Sequence, residues 1–73
     1  MSTSSGEDVA RTYEVVAEEL DKAAAHCRTA AQNYRHGQVP RGAAHAWSAF
    51  GHVTEAVDVL KAEAREHAKR SNP

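Results

Sequence analysis

Apolar and small residues recur through the first half of the chain at Val9, Tyr13, Val16, Leu20, Ala23, Cys27, Ala30 and Tyr34, in steps of four and three. That period puts all of them on one stripe of an α-helix, and no proline or glycine interrupts it. A second stripe of the same period runs through Ala43, Ala46, Phe50, Val53, Val57, Leu60, Ala64 and His67, with Trp47 beside it. Between them lies His36-Gly37-Gln38-Val39-Pro40, in which Gly37 suits the left-handed position just past a helix and Pro40 the first turn of the next. The pattern therefore predicts a helix over 6–36, a turn over 37–40 and a second helix over 40–69. Ser5-Gly6-Glu7-Asp8 supplies a Ser-x-x-Asp pattern that satisfies free N–H groups at a helix start. Residues 1–5 read as a disordered tail and 71–73 as a short C-terminal one.

So short a connection makes the two long helices antiparallel neighbours, which sets the fold class as all-α, a two-helix hairpin. With Tyr34 level with Ala43, Cys27 falls near Phe50, Leu20 near Val57 and Tyr13 near Ala64, so that large side chains meet small ones. The same register sets the acidic start of the first helix beside the basic end of the second, and each charge set also suits its own helix dipole.

A chain of 73 residues holds one small domain and is short of core. Its single cysteine excludes an internal disulfide, which leaves self-association as the expected source of cover. On this reading Val9, Tyr13, Val16, Leu20, Cys27, Tyr34, Trp47, Phe50, Val53, Val57 and Leu60 form the seam of a homodimeric four-helix bundle. A further stripe on the second helix, His45, Ala49, His52, Ala56 and Val59, offers small residues for close approach of a second hairpin. A net charge of −1 lacks the basic footprint of a dedicated nucleic-acid binder. With neither a secretory signal nor an apolar run of the ~18 residues that a membrane span needs, the expected location is cytoplasmic.

Five histidines raise the question of a metal. His45 and His52 stand seven residues apart, about 10.5 Å along a helix, and cannot share one ion within the chain. The usable pairs are His52 with Glu55 and Glu63 with His67, neither in the Glu-x-x-His order of di-iron bundles. No cofactor is expected. Cys27 reads as a small buried hydrophobe facing Phe50. Around the turn, Arg28, Arg35, His36 and Arg41 make a candidate anion-binding patch for an acidic protein or a nucleic acid.

The stretch from Ala23 to Ala62 joins an alanine-rich helix, ending in Tyr34 and Gly37, to an Ala-x-x-Ala-Trp helix ending in Leu-Lys-Ala. It resembles the helical hairpin of HEPN-type domains. That resemblance implies a helical bundle that dimerises, often in the company of a nucleotidyltransferase. The active ribonucleases of that group use an Arg followed after four to six residues by a His. Here Arg41-Gly-Ala-Ala-His45 has three intervening residues and Arg28 stands too far from His36, so no catalytic residue is carried over and no enzyme is expected. The expected role is a non-enzymatic accessory or adaptor module that works through homo-oligomerisation with an unidentified protein partner. The alternatives are a HEPN-like nucleic-acid-associated accessory protein and a metal-binding helical bundle.

Overall fold

The computed structural model describes residues 6–71, which form two α-helices and no strand. Helix α1 spans Gly6–Arg35 and helix α2 spans Val39–Arg70. Ser5, and with it the expected capping pattern, lies outside the described residues, as do the rest of the 1–5 segment and the last two residues.

The turn is closed by backbone chemistry. Gly37 takes a φ of +73°, the left-handed conformation open to a residue without a Cβ. The Gln38 N–H donates to the Asn33 carbonyl at 2.8 Å and the Gly37 N–H to that of Tyr34 at 3.1 Å, the paired bonds of a Schellman termination. The Asn33 Nδ2 donates to Gln38 Oε1 across the same loop. Pro40, in the first turn of α2, has no N–H to leave unsatisfied. The helices then run back along each other. Tyr34 lies on Gly42 beside the turn, Glu19 meets His52 near the middle, and Val9 and His67 line one cavity at the open end.

The two helices meet through small residues. The buried side chains are Val16, Ala23 and Ala30 on α1 and Ala49 and Ala56 on α2, together with Gly42. Between them on the same lines sit half-buried Val9, Thr12, Glu19, His26 and Asn33, and His45, His52, Val59 and Glu63. Both sets follow a strict three-and-four alternation, the signature of a heptad seam. Across the seam Glu19 meets His52, His26 meets His45, and Tyr34 lies on Gly42.

This seam is not the one expected from the largest apolar stripe. The axial levels agree with that expectation, since Tyr34 and Ala43 line one cavity and Tyr13 and Ala64 another. The rotation of each helix differs. Tyr13, Leu20, Tyr34, Trp47, Phe50, Val53, Val57 and Leu60 are all exposed on the hairpin, while Val16 is buried between the helices and Val9 half-buried. The reason is steric: alanine and glycine at every other layer bring the helix axes close, and a row of aromatic and leucine side chains would hold them apart.

Two glycines on α2 separate helix propensity from packing. Gly51 is exposed and a Cβ there meets nothing, so Gly51→Ala should raise stability by about 0.5 to 1 kcal/mol through propensity alone. A Cβ on Gly42 would stand 2.7 Å from Tyr34 Cε2, so Gly42→Ala should forfeit that gain or lower the urea midpoint. Equal stabilisation by the two substitutions in urea melts would contradict this packing.

Candidate interaction face

Taking the seam as heptad positions a and d, the exposed apolar side chains sort onto the neighbouring positions of one side. On α1, position e holds Tyr13, Leu20, Cys27 and Tyr34, and position b holds Ala10, Ala17, Ala24 and Ala31. On α2, position e holds Ala46, Val53 and Leu60, and position b holds Ala43, Phe50, Val57 and Ala64. In an antiparallel pair the e positions of both helices flank the same side of the seam. The hairpin therefore carries one broad apolar face, while the opposite face is mainly polar, with Val15 as its one large exposed aliphatic.

The face has relief. Near the turn Tyr34, Ala43, Ala46, Trp47 and Phe50 surround a hollow of about 300 Å³, with the Trp47 and Phe50 rings edge to face at 6.0 Å. At the open end Val9, Tyr13, Leu60, Glu63, Ala64, His67 and Arg70 surround one of about 390 Å³. Trp47 stands out of the surface, 72% exposed, and Phe50 beside it is 61% exposed. Cys27, expected to be buried against Phe50, is instead exposed in the middle of this face, because position e looks along the hairpin surface and not into the seam.

The stripe His45, Ala49, His52, Ala56 and Val59, expected to receive a second hairpin, is the inner face of α2 and is covered by α1. Its histidines serve the hairpin itself. His52 Nδ1–H donates to Glu19 Oε1 at 2.7 Å, and Lys22 Nζ lies 3.6 Å from the other carboxylate oxygen. His26 and His45 approach through their Nδ1 atoms at 2.9 Å, so one ring donates and the other accepts. The His26 ring also stacks on that of His52, their centroids 5.5 Å apart. A chain Glu19–His52–His26–His45 thus runs along the seam. The hydrogen bond from His52 is the largest influence holding the Glu19 carboxyl below its ordinary value, with the Lys22 and His52 charges adding to it.

The two pairs expected as metal ligands have different settings. His52 is engaged by Glu19, Glu55 is exposed, and Glu63 and His67 line the open-end hollow. No group of three or more His, Cys, Asp or Glu suited to a metal ion occurs among the described residues. The arginines of the turn fall at different heptad positions. Arg28 and Arg35 share the outer edge of α1, at position f, whereas Arg41 stands at position g of α2 on the polar side; His36 is exposed in the turn itself. No helix among the described residues is long and apolar enough to cross a membrane. Neither the inner role of the histidines nor the outward turn of the aromatics was visible in apolar periodicity, but the seven-residue repeats Ala23–Ala30 and Gly42–Ala49–Ala56 were the available signal.

A depressed carboxyl in the seam gives stability a defined pH dependence. Glu19 is ionised in both folded and unfolded chains above the unfolded carboxylate pKa of about 4.3, and there its contribution is fully present; it is lost as pH falls through the lower folded value. Urea midpoints measured from pH 6 down to pH 3 should fall less steeply in Glu19→Gln than in the parent chain. Parallel acid limbs for the two proteins would show that the Glu19–His52 bond contributes nothing to stability. No family model matches the chain, and no curated protein or solved structure matches it, so the functional reading rests on this geometry.

Proposed function

We propose that this protein is a non-enzymatic helical interaction module, an accessory or adaptor that acts through homo-oligomerisation, two hairpins packing face to face into a four-helix bundle. One observation carries the reading: the large apolar side chains of both helices lie together on one side of a single layer of structure. A stable domain packs at least two layers around a core, and a lone hairpin supplies one. The molecule measures 55 × 22 × 14 Å, so its broad face exceeds the roughly 800 Å² per partner that a standard stable interface occupies. A row of exposed aromatic and aliphatic side chains along that face is characteristic of interaction sites. A second copy brings the same apolar row to the contact, which makes the surface self-complementary under a two-fold axis.

Light scattering at micromolar concentration should give at least twice the chain mass, and the emission of Trp47, the sole tryptophan, should move to the blue as the concentration is raised through assembly. Phe50→Asp places a charge in the middle of the face and should shift the protein to monomer, weakening association by at least ~100-fold, as loss of a fully desolvated aromatic anchor commonly does. A parent chain that stays monomeric at ~100 µM while melting cooperatively would refute the proposal.

A further inference from the structure

The charge distribution along the hairpin selects how the second copy lies on the face. Position f of α1, the rim of the apolar face, holds Glu7, Glu14, Asp21, Arg28 and Arg35 at seven-residue intervals. The stripe is acidic toward the open end and basic toward the turn. The whole hairpin shares this polarity. Residues 21–56 carry four basic and two acidic side chains, net +2, and the remaining described residues carry five basic and eight acidic ones, net −3.

We infer, resting on the homodimer just proposed, that the second copy docks antiparallel, turns at opposite ends, with α1 lying along the partner's α1 and α2 along the partner's α2. The centre of α1, Gly6–Arg35, falls between residues 20 and 21, and the centre of α2, Val39–Arg70, between residues 54 and 55. With the two-fold axis at Asp21, half a residue from the centre of α1, Glu14 of each chain lies against Arg28 of the other and Glu7 against Arg35. The stripe is symmetric in position and opposite in sign about Asp21, so the geometric centre of the helix and the centre of its charge pattern lie within half a residue of each other. The one like-charged meeting is Asp21 with its own copy on the axis, where Lys22 of each chain is the next residue.

Docking with both turns at the same end would instead gather Arg28, Arg35 and Arg41 of two chains in one half, net +4, against −6 in the other. Mutual repulsion within each half opposes that arrangement, most strongly at low salt. The relief of the face agrees with the antiparallel choice. On α2, Trp47 lies seven residues from Thr54 toward the turn and Lys61 seven toward the open end. The protruding Trp47 therefore meets the partner beside Leu60 and Lys61, at the rim of the open-end hollow that Leu60 and Ala64 help to line. An exposed ring is thereby matched to a recess, with the Lys61 stem and charge along its side.

Orientation and charge pairing are tested separately. In a Cys27→Ala background, spin labels on His36→Cys should give an intermolecular distance on the order of 50 Å, the bundle length at 1.5 Å per residue. Chains labelled at His36→Cys mixed with chains labelled at Ala68→Cys should give a separation under about 25 Å, since the turn of one lies at the open end of the other. A short His36–His36 distance would overturn the antiparallel arrangement while leaving the homodimer standing, whereas no intermolecular distance at all would remove the homodimer and this inference with it. In equilibrium sedimentation at low salt, Arg28→Glu should weaken the dimer about 5- to 10-fold, because two attractive exposed pairs become repulsive. Combining it with Glu14→Arg in the same chain should restore affinity to within about twofold of the parent. Both positions are exposed on α1, so circular dichroism should show unchanged helicity. A double variant as weak as Arg28→Glu alone would overturn the proposed pairing.

Discussion

Close approach of two helices through alanine and glycine is the constraint on which the rest of this structure depends. Ala23, Ala30, Ala49 and Ala56 are buried between the helices, and Gly42 lets the Tyr34 ring lie against α2 at the turn. A seam built that tightly has no room for a row of aromatic or leucine side chains. These are displaced by one heptad position to the adjoining surface, where Tyr13, Leu20, Tyr34, Phe50 and Leu60 line up on one side. The apolar face is thus a consequence of the small-residue seam: the same alanines that bring the helices together send the larger groups outward.

An alanine ladder holds helices together without saying where each should stop. Methyl groups repeat along both helices, and a slip of one heptad would still set alanine near alanine. The polar members of the seam remove that freedom. Glu19 bonds His52 and His26 bonds His45, and a slip of seven residues would separate both pairs while leaving their polar atoms half-buried. Single polar residues within heptad seams set register in the same manner. At the turn the Schellman bonds and the Asn33–Gln38 contact fix the same alignment from the other end. Three of the five histidines, His26, His45 and His52, are in this arrangement register-setting groups held by partners within the seam.

Much of the fold was legible in the sequence. The helices follow from the three-and-four period, their reversal from Gly37 and Pro40, and the axial levels from the shortness of the turn, as the shared cavities of Tyr34 with Ala43 and Tyr13 with Ala64 show. The rotation of each helix was not legible from the same rule, because that rule ranks positions by apolar size, whereas alanines make up most of the buried seam. Here the two tasks are divided. Small residues at seven-residue intervals face the neighbouring helix, and large ones occupy the side left open. Cys27 marks the boundary: it belongs to the stripe of Tyr13, Leu20 and Tyr34 and is exposed with them, whereas Val16, one step round the helix, is buried.

In the proposed bundle this division also ties the stability of the hairpin to the second copy on its face. Burying a methyl or methylene group contributes about 0.8 kcal/mol, and fully burying a side chain such as Leu, Val or Phe about 1.5 to 3 kcal/mol. The seam therefore holds the smaller share of the apolar free energy available to the chain, and the exposed row of Tyr13, Leu20, Tyr34, Phe50, Val57 and Leu60 holds the larger. Local helix contacts and a tight turn favour rapid formation of the hairpin, since little chain entropy is lost in closing so short a loop. Most of the gain from burial comes only when the row is removed from water. In the proposed four-helix bundle, ordering of the helices and association through the face are linked: covering the face stabilises the seam, and a well-formed seam holds the apolar row in the continuous line that a second helical layer requires.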